Sequence, residues 1–499
     1  MAPSKSIAAD KVLKLSLKEA ISKSLEANPE IEILRLDPEL ATQNVKQAES
    51  RFDTFLSAEA SVGKDVSPSG SSLAGTEITD KGDRFKIAAS KELEYGTDLE
   101  LAFTNSKIEN NSLFTGLSPE YASDLTLTLK QPILKGAWSG RPGILVDIQE
   151  ELEKSAQWNF KAELSNQIKA VIEAYWNQKL AKKDIEVKQK SLASAEKFRD
   201  EADAGVSAGT QAPTALAQAS AQSALRKEEL IAAQNRFESA NNQLRKVIGD
   251  YDTLRETVIL ELVDAPEFTS DKFETNSSLN TAIEQRPELR AQDLKIKSDQ
   301  LNRKLQSQNI LPELNLVGSV GVDGLSGNPQ TNPFDSVGPV GFAGGRDDSL
   351  DSLGSGDYYE YTVGVEIKRS FGNSAAEATA KQAEIEQLRS SLKRKSLEQQ
   401  VIVEVKNAVS DLETATQRIK AGKEAEKFAK KALDTGEERF KVGLSTPREV
   451  LELQEDLAQA ELALATALSD YQIALAEIYR ARGELLERYE IAFVNPKES

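Results

Sequence analysis

From Leu56 to Gly63 the chain alternates, with Leu56, Ala58, Ala60 and Val62 set against Ser57, Glu59, Ser61 and Gly63. The same period of two returns at Phe85, Ile87 and Ala89, at Leu99, Leu101 and Phe103, and at Leu125, Leu127 and Leu129. It returns twice more, from Leu314 to Val322 and from Tyr359 to Ile367. Successive side chains of a strand point to opposite faces, so these six stretches predict strands with one apolar and one polar face. Tyr95-Gly96 reads as a tight turn between two of them. Ser/Gly/Asn/Pro-rich stretches at 64–82, 105–122 and 321–357 read as exposed loops.

Elsewhere the period is helical. Leu17, Ile21 and Leu25 share a face of a short helix over 14–27, which Asn28-Pro29 ends because a residue before proline is pushed out of the α region. A second helix follows over about 30–53, with Pro38 able to kink it. Leu279–Arg286 and Glu288 to about Asn309 form the matching pair, the short helix being about one turn shorter than its counterpart. Two helices of roughly 60 residues, about 90 Å each, are expected over 145–204 and 376–440. Each is followed by another, over 213–247 and 448–487. In the last, Val450, Leu453, Leu457, Ala460, Leu464, Leu468, Tyr471, Leu475 and Ile478 step by threes and fours, a coiled-coil seam. The corresponding seam over 213–247 is richer in alanine and serine, which permit close helix approach.

The halves repeat. A shift of 234 carries Gly209-Thr210-Gln211-Ala212-Pro213 onto Gly443-Leu444-Ser445-Thr446-Pro447, Ala174 onto Ala408 and Ala195 onto Ala429. A shift of 258 carries Pro29-Glu30 onto Pro287-Glu288 and Ser61-Val62-Gly63 onto Ser319-Val320-Gly321. Two sustained shifts imply an internal duplication with one insertion in the first half. At the second hinge, Gly443 permits positive φ, Ser445 or Thr446 can cap the next helix, and Pro447 fits its first turn.

Composition removes whole classes of chemistry. The 499 residues contain no cysteine and no histidine. Thiol and imidazole metal sites, Ser-His-Asp triads, Cys–His pairs and disulfides are therefore excluded. No phosphate-binding Gly-rich loop occurs, and no cofactor, metal or catalytic site is expected. A net charge of −18 argues against nucleic acid, which needs a basic face. Nothing approaches the 18 consecutive apolar residues of a membrane-spanning helix. Met1-Ala-Pro-Ser-Lys lacks the apolar core of a signal peptide, which fits either a cytoplasmic protein or a mature chain whose signal was removed.

The strands have two possible uses. A soluble β domain would pack their apolar face on a core; a transmembrane barrel would turn it to lipid and the polar face to a lumen. Clean alternation, long loops opposite a short turn, and aromatics near strand ends (Phe114, Tyr121, Tyr358, Tyr359, Tyr361) favour the barrel. Six strands beside long helices cannot close a wide barrel in one chain, so oligomerisation follows.

A doubled unit of short helix, long helix, strands and two long helices resembles the TolC-like outer-membrane efflux and secretion channels, from about Leu15 to Leu486. The carrying features are Asn28-Pro-Glu, Arg286-Pro-Glu-Leu, Leu127-Thr-Leu-Lys-Gln-Pro-Ile-Leu-Lys-Gly and Arg439-Phe-Lys-Val-Gly-Leu-Ser. The resemblance implies a mainly α fold with β: a homotrimeric outer-membrane β-barrel continued by a long periplasmic helical barrel. It implies an equatorial segment at 1–28, repeats at 29–249 and 287–487, a connector at 250–286 and a tail at 488–499. Family members contribute four strands per chain to a twelve-stranded barrel, which leaves 84–94 and 97–106 as an extended hairpin of uncertain place.

The same resemblance implies a passive exit duct, not an enzyme, in the bacterial outer membrane and reaching into the periplasm. It would serve tripartite efflux or type I secretion, with a periplasmic adaptor and an inner-membrane transporter as partners beside outer-membrane lipid. Adaptor docking maps to Arg439, Val442, Gly443, Leu444 and Ser445, and to Ala208, Gly209 and Thr210 in the first half. The family narrows the tunnel end with carboxylates six and nine residues after the turn glycine, here Glu449 and Glu452. A soluble coiled-coil scaffold with a small β domain is the alternative reading. A solubilised, engineered channel is another, left open by Lys130, Lys368 and Arg369 near strand ends.

Overall fold

The computed structural model describes residues 11–69, 77–112, 115–249, 251–255, 258–269, 271–331, 339–442 and 444–491. In chain order these form β1 (Lys11–Leu15), α1 (Leu17–Ala27), α2 (Pro29–Glu49), β2 (Phe55–Pro68), β3 (Glu77–Glu92), β4 (Asp98–Asn110) and β5 (Leu117–Pro132). Then come α3 (Ile144–Ser207), α4 (Pro213–Ile248), α5 (Tyr251–Arg255), β6 (Val258–Leu262), α6 (Thr275–Gln285) and α7 (Pro287–Gln308). The last are β7 (Glu313–Pro329), α8 (Arg346–Ser355), β8 (Tyr359–Lys368), α9 (Ser374–Lys441), α10 (Pro447–Arg482) and α11 (Leu485–Arg488). Two compact units result: Met1–Leu40, Lys154–Asp293 and Lys393–Ser499 make one, Ala41–Glu153 and Leu294–Leu392 the other.

The first unit is helical around two apolar clusters. One joins Leu15, Ile21, Ile31, Ile172, Tyr175 and Leu244; the other joins Leu289, Val405, Leu412, Ile419, Tyr471 and Ile478. Of the α10 seam, Tyr471 and Ile478 are fully buried, with Ala467, Ala474 and Ala481 buried beside them. Leu464, Leu468 and Leu475 are half-buried against that cluster, and the α-carbon of Leu464 and its side chain lie against Gly422 of α9. The α1 start is fixed by a capping box between Ser16 and Glu19. Two parts of the unit were not legible from periodicity. β1 and β6 form a parallel two-stranded sheet, with Leu13 opposite Leu260. The Tyr175 hydroxyl sits beside it, 2.6 Å from Asp264 Oδ2 and 3.2 Å from the Leu15 carbonyl.

Gly249 and Gly483 end α4 and α10 in the left-handed region, at φ 79° and 82°. Each is also closely approached: a Cβ on Gly249 would stand 2.3 Å from the Asn28 α-carbon, and one on Gly483 2.9 Å from the Gln285 carbonyl. The residues at these crossings satisfy helix-end carbonyls. Asn28 Nδ2 donates to the Val247 carbonyl at 2.8 Å, and Arg286 Nη1 to the Ala481 carbonyl at 3.3 Å. Buried Arg286 also donates to Glu404 at 2.8 Å, and Arg480 reaches the same carboxylate oxygen at 3.0 Å. Arg480 in turn holds Glu477, which also pairs with Lys169.

The second unit carries one antiparallel six-stranded sheet in the order β2-β3-β4-β5-β7-β8. All six expected strands are present, and β2–β5 and β7 extend well beyond the alternating stretches. Their outer portions lose the strict alternation, as at Lys64-Asp65 opposite Asp80-Lys81, so hydrogen bonding continues where the sequence signal has stopped.

Several expectations are corrected. The hairpin at 84–94 and 97–106, of uncertain place in the sequence, lies inside the sheet: β3 and β4 stand between β2 and β5. The stretches at 64–82, 105–122 and 321–357 are not wholly loop: the first holds the ends of β2 and β3, the second those of β4 and β5, and the third the end of β7 and α8. The short helices α1 and α6 are equal, at 11 residues each. The last long helix stops at Arg482 rather than 487, because Gly483 turns left-handed. Gly443, Phe114 and residues 1–10 lie outside the described residues.

Candidate functional site

Cross-strand register carries the apolar face through the whole sheet. Leu56 lies opposite Ala89, Ala89 opposite Leu101, Leu101 opposite Leu127, Leu127 opposite Val320 and Val320 opposite Tyr361. The next row runs Ala58, Ile87, Phe103, Leu125, Val322 and Tyr359. Along β8 the apolar side chains from Tyr359 to Ile367 cover about 26 Å at 3.3 Å per residue. That is close to the height of the apolar band on outer-membrane barrels. The face is open: Leu56 is 72 % exposed, Tyr361 75 % and Val363 76 %.

The opposite face is polar and charged. One row reads Glu59, Lys86, Thr104, Asp124 and Asp323. Lys130 belongs to this face, 2.8 Å from Glu366, and Lys368 lies opposite Glu313. These lysines therefore do not interrupt the apolar band. On the side of the apolar band, but beyond its end, α8 docks through hydroxyls, Ser349 Oγ standing 2.9 Å from Ser123 Oγ, with its backbone against Gly324.

In the helical unit the two hairpin turns differ. At the α9–α10 turn the Leu444 N–H donates to the Arg439 carbonyl at 2.8 Å, and Arg439 Nη2 donates to the Leu444 carbonyl at 3.3 Å. Arg439 thus clamps the loop that presents Val442 and Leu444, which are 70 % and 69 % exposed. Ser445 Oγ donates to Glu449 Oε2 at 2.6 Å. Thr446 is the α10 N-cap, completing a capping box with Glu449. Glu452 takes Arg448 Nε at 3.1 Å, an exposed ion pair.

The α3–α4 turn is closed on one backbone carbonyl. The Thr210 N–H and Oγ1 both donate to the Gly205 carbonyl, at 2.8 and 3.0 Å. Gly209 adopts φ 73°, as its place in the turn requires. Ala208, Gly209 and Thr210 are exposed, but this turn offers no large apolar side chain. Arg448 was not singled out as Glu452's partner, although its i, i+4 spacing signals it. The Thr446-x-x-Glu449 pattern likewise announces the capping box.

The described residues hold no His/Cys/Asp/Glu group fit to bind a metal ion and no helix long and apolar enough to cross a membrane; the latter says nothing of strands. What the geometry offers is a sheet with two chemically distinct faces and a helix hairpin with an apolar tip.

Comparison with known proteins agrees in extent. The sequence pattern of the outer membrane efflux protein family matches residues 20–250 and 278–484. Over 350 residues the chain is 22% identical to outer membrane protein TolC of Vibrio cholerae serotype O1, spanning 69% of this chain and 74% of that one. The Campylobacter jejuni CmeC outer membrane channel superposes with a TM-score of 0.67 at 15% identity, covering 94% of this chain and 86% of its own. The open-state Neisseria gonorrhoeae MtrE outer membrane channel gives 0.63 at 19% identity, covering 96% and 94%. At such identities the superpositions speak for the fold alone. The family pattern takes in both strand regions and both helix hairpins, and the chain belongs to the outer membrane efflux protein family.

Proposed function

We propose that this chain is one third of a passive outer-membrane exit duct. Three copies share one β-barrel in the membrane, and their helices form a periplasmic tunnel that receives cargo from an inner-membrane transporter through a periplasmic adaptor. The single observation behind this is the exposed apolar face running through all six strands, opposite a charged one. A soluble β domain would bury that face. Such alternation is what a barrel between lipid and water requires.

The internal duplication fits the matched lengths of α4 and α10, 36 residues each, and their glycine ends. The adaptor docks at the tip formed by Arg439, Val442, Gly443, Leu444 and Ser445, with Ala208, Gly209 and Thr210 as the second, less apolar contact. Glu449 and Glu452 from three chains ring the tunnel end, and their repulsion favours cations at the opening. Purified protein in planar lipid bilayers should give discrete cation-preferring pores. Absence of conductance from a stable trimer would end this reading.

A further inference from the structure

We infer that this chain contributes six strands, not four, to the shared barrel, and that β8 of each copy pairs with β2 of the next to close an eighteen-stranded ring. The inference rests on the channel reading above and specifies its wall.

β3 and β4 are not an appendage. The apolar row through Leu56, Ala89, Leu101, Leu127, Val320 and Tyr361 passes through them without a break. Their connecting turn sits where β2 begins: Arg51, just before β2, donates to Glu92 at the end of β3 at 2.9 Å. The Gly143 N–H donates to the Glu94 carbonyl at 3.1 Å, and Arg141 stacks over the Tyr95 ring. β2 is hydrogen-bonded to β3 from Phe55 to Pro68, so it cannot pair with β5 unless that ladder is dismantled.

The sheet then has two edges, β2 and β8. Both are exposed on nearly every residue. Long open edges of this kind are templates for another strand. All five ladders are antiparallel, and six is even, so β8 runs opposite to β2 and the two join antiparallel without a twist of polarity. The contact is head-to-tail, the type that closes into a ring. Three copies of a six-stranded sheet make eighteen strands, a number that leaves a wide aqueous bore. Phe55 opens β2 and Lys368 ends β8. Setting those ends level puts Tyr361 opposite Val62, both on the apolar face; slips of two residues preserve that face.

The chain has no cysteine, so introduced thiols report without background. Tyr361→Cys is combined in turn with Ala60→Cys, Val62→Cys or Lys64→Cys and the protein is oxidised in vesicles. Directly opposed Cβ atoms lie within disulfide reach, so one of the three pairs should give a covalent trimer on a non-reducing gel. No covalent trimer from any pair would overturn the seam. In parallel, single variants Ile87→Cys, Phe103→Cys and Val320→Cys carry an environment-sensitive fluorophore in vesicles containing nitroxide-labelled lipid. All three labels should be quenched, within about twofold of one another, because they share one lipid-facing band. Quenching at Val320 alone would place β3 and β4 outside the bilayer and defeat the strand count while leaving the channel standing. Quenching at none would defeat the channel reading itself.

Discussion

Thr446 and Glu449 hold each other: the Glu449 N–H donates to Thr446 Oγ1 at 3.3 Å, and the Thr446 N–H donates to Glu449 Oε2 at 3.2 Å. The same carboxylate oxygen takes the Ser445 hydroxyl at 2.6 Å. One of the two carboxylates expected at the tunnel end therefore also fixes where α10 begins. Thr446→Ala should weaken that start by about 1 kcal/mol, the usual value of an N-cap. Hydrogen exchange at the amides of 448–450 should quicken while the rest of α10 keeps its protection. Unchanged protection would show that tertiary packing, not the cap, sets the helix start.

The two carboxylates should not contribute equally to conductance. Glu449 is engaged with Ser445 and Thr446, whereas Glu452 pairs with the exposed Arg448, a contact worth roughly 0.3–0.5 kcal/mol. Glu452→Ala alone should then raise single-channel conductance and relieve divalent block more than Glu449→Ala, with the double variant largest. Equal conductance in all four proteins would remove the carboxylate ring from the tunnel end.

Acid should loosen this turn through Glu449, and only at low pH. The Ser445 hydroxyl and Thr446 N–H hold its carboxyl below the ordinary value. A carboxyl depressed in the folded state adds stability above its unfolded value, about 4.3, and that stability fades as pH falls through the folded value. A carbon-detected NMR titration should find Glu449 protonating below the ordinary glutamate value of about 4.3, with the first turn of α10 loosening in step. If Glu449 titrates at or above that ordinary value, the cap does not hold in solution.

How much of this was legible follows from the kind of signal each part leaves. The sheet announced itself because each strand has one face of each character, as at Tyr359–Ile367. β1 and β6 did not: five residues such as Lys-Val-Leu-Lys-Leu are too short to separate a strand from the edge of the helix at Leu17. α8 was hidden because Arg-Asp-Asp-Ser-Leu-Asp-Ser-Leu-Gly-Ser reads as loop composition; it is held in place by Ser123 and Gly324, far away in sequence. The tip was partly legible, since Pro447 and the Thr446–Glu449 spacing mark a helix start. That Arg439 clamps Leu444 depends on a rotamer, which no spacing encodes.

Val442 and Leu444 are exposed apolar side chains on a polar hairpin, and Arg439 supports the loop from beneath by two hydrogen bonds. Burying such a side chain in a partner is worth roughly 1.5–3 kcal/mol. Leu444→Ser should therefore weaken binding of a periplasmic adaptor about tenfold or more, as measured by calorimetry, with Tm unchanged. Ala208→Ser at the other turn should change affinity little. Equal losses at both turns would mean that the apolar tip does not set the preference.

Arg286 poses the sharpest test of the helical unit, because it links groups far apart in sequence. It is buried, caps the Ala481 carbonyl and shares Glu404 with Arg480. Burial pushes the Glu404 carboxyl up, but attraction to Arg286 and hydrogen bonds from Gln400 and Arg286 outweigh it and hold the group below its usual value. Arg286→Ala would leave Glu404 with Arg480 and Gln400 only and expose the end of α10, so a loss of about 3 kcal/mol is expected. Glu404→Gln should remove part of the fall in Tm below about pH 4, since the stabilisation it carries is present above the unfolded value and lost on acidification. The two changes should not add, because they break the same contact. A double variant as unstable as the sum of the singles would show that Arg286 acts through the α10 carbonyl alone.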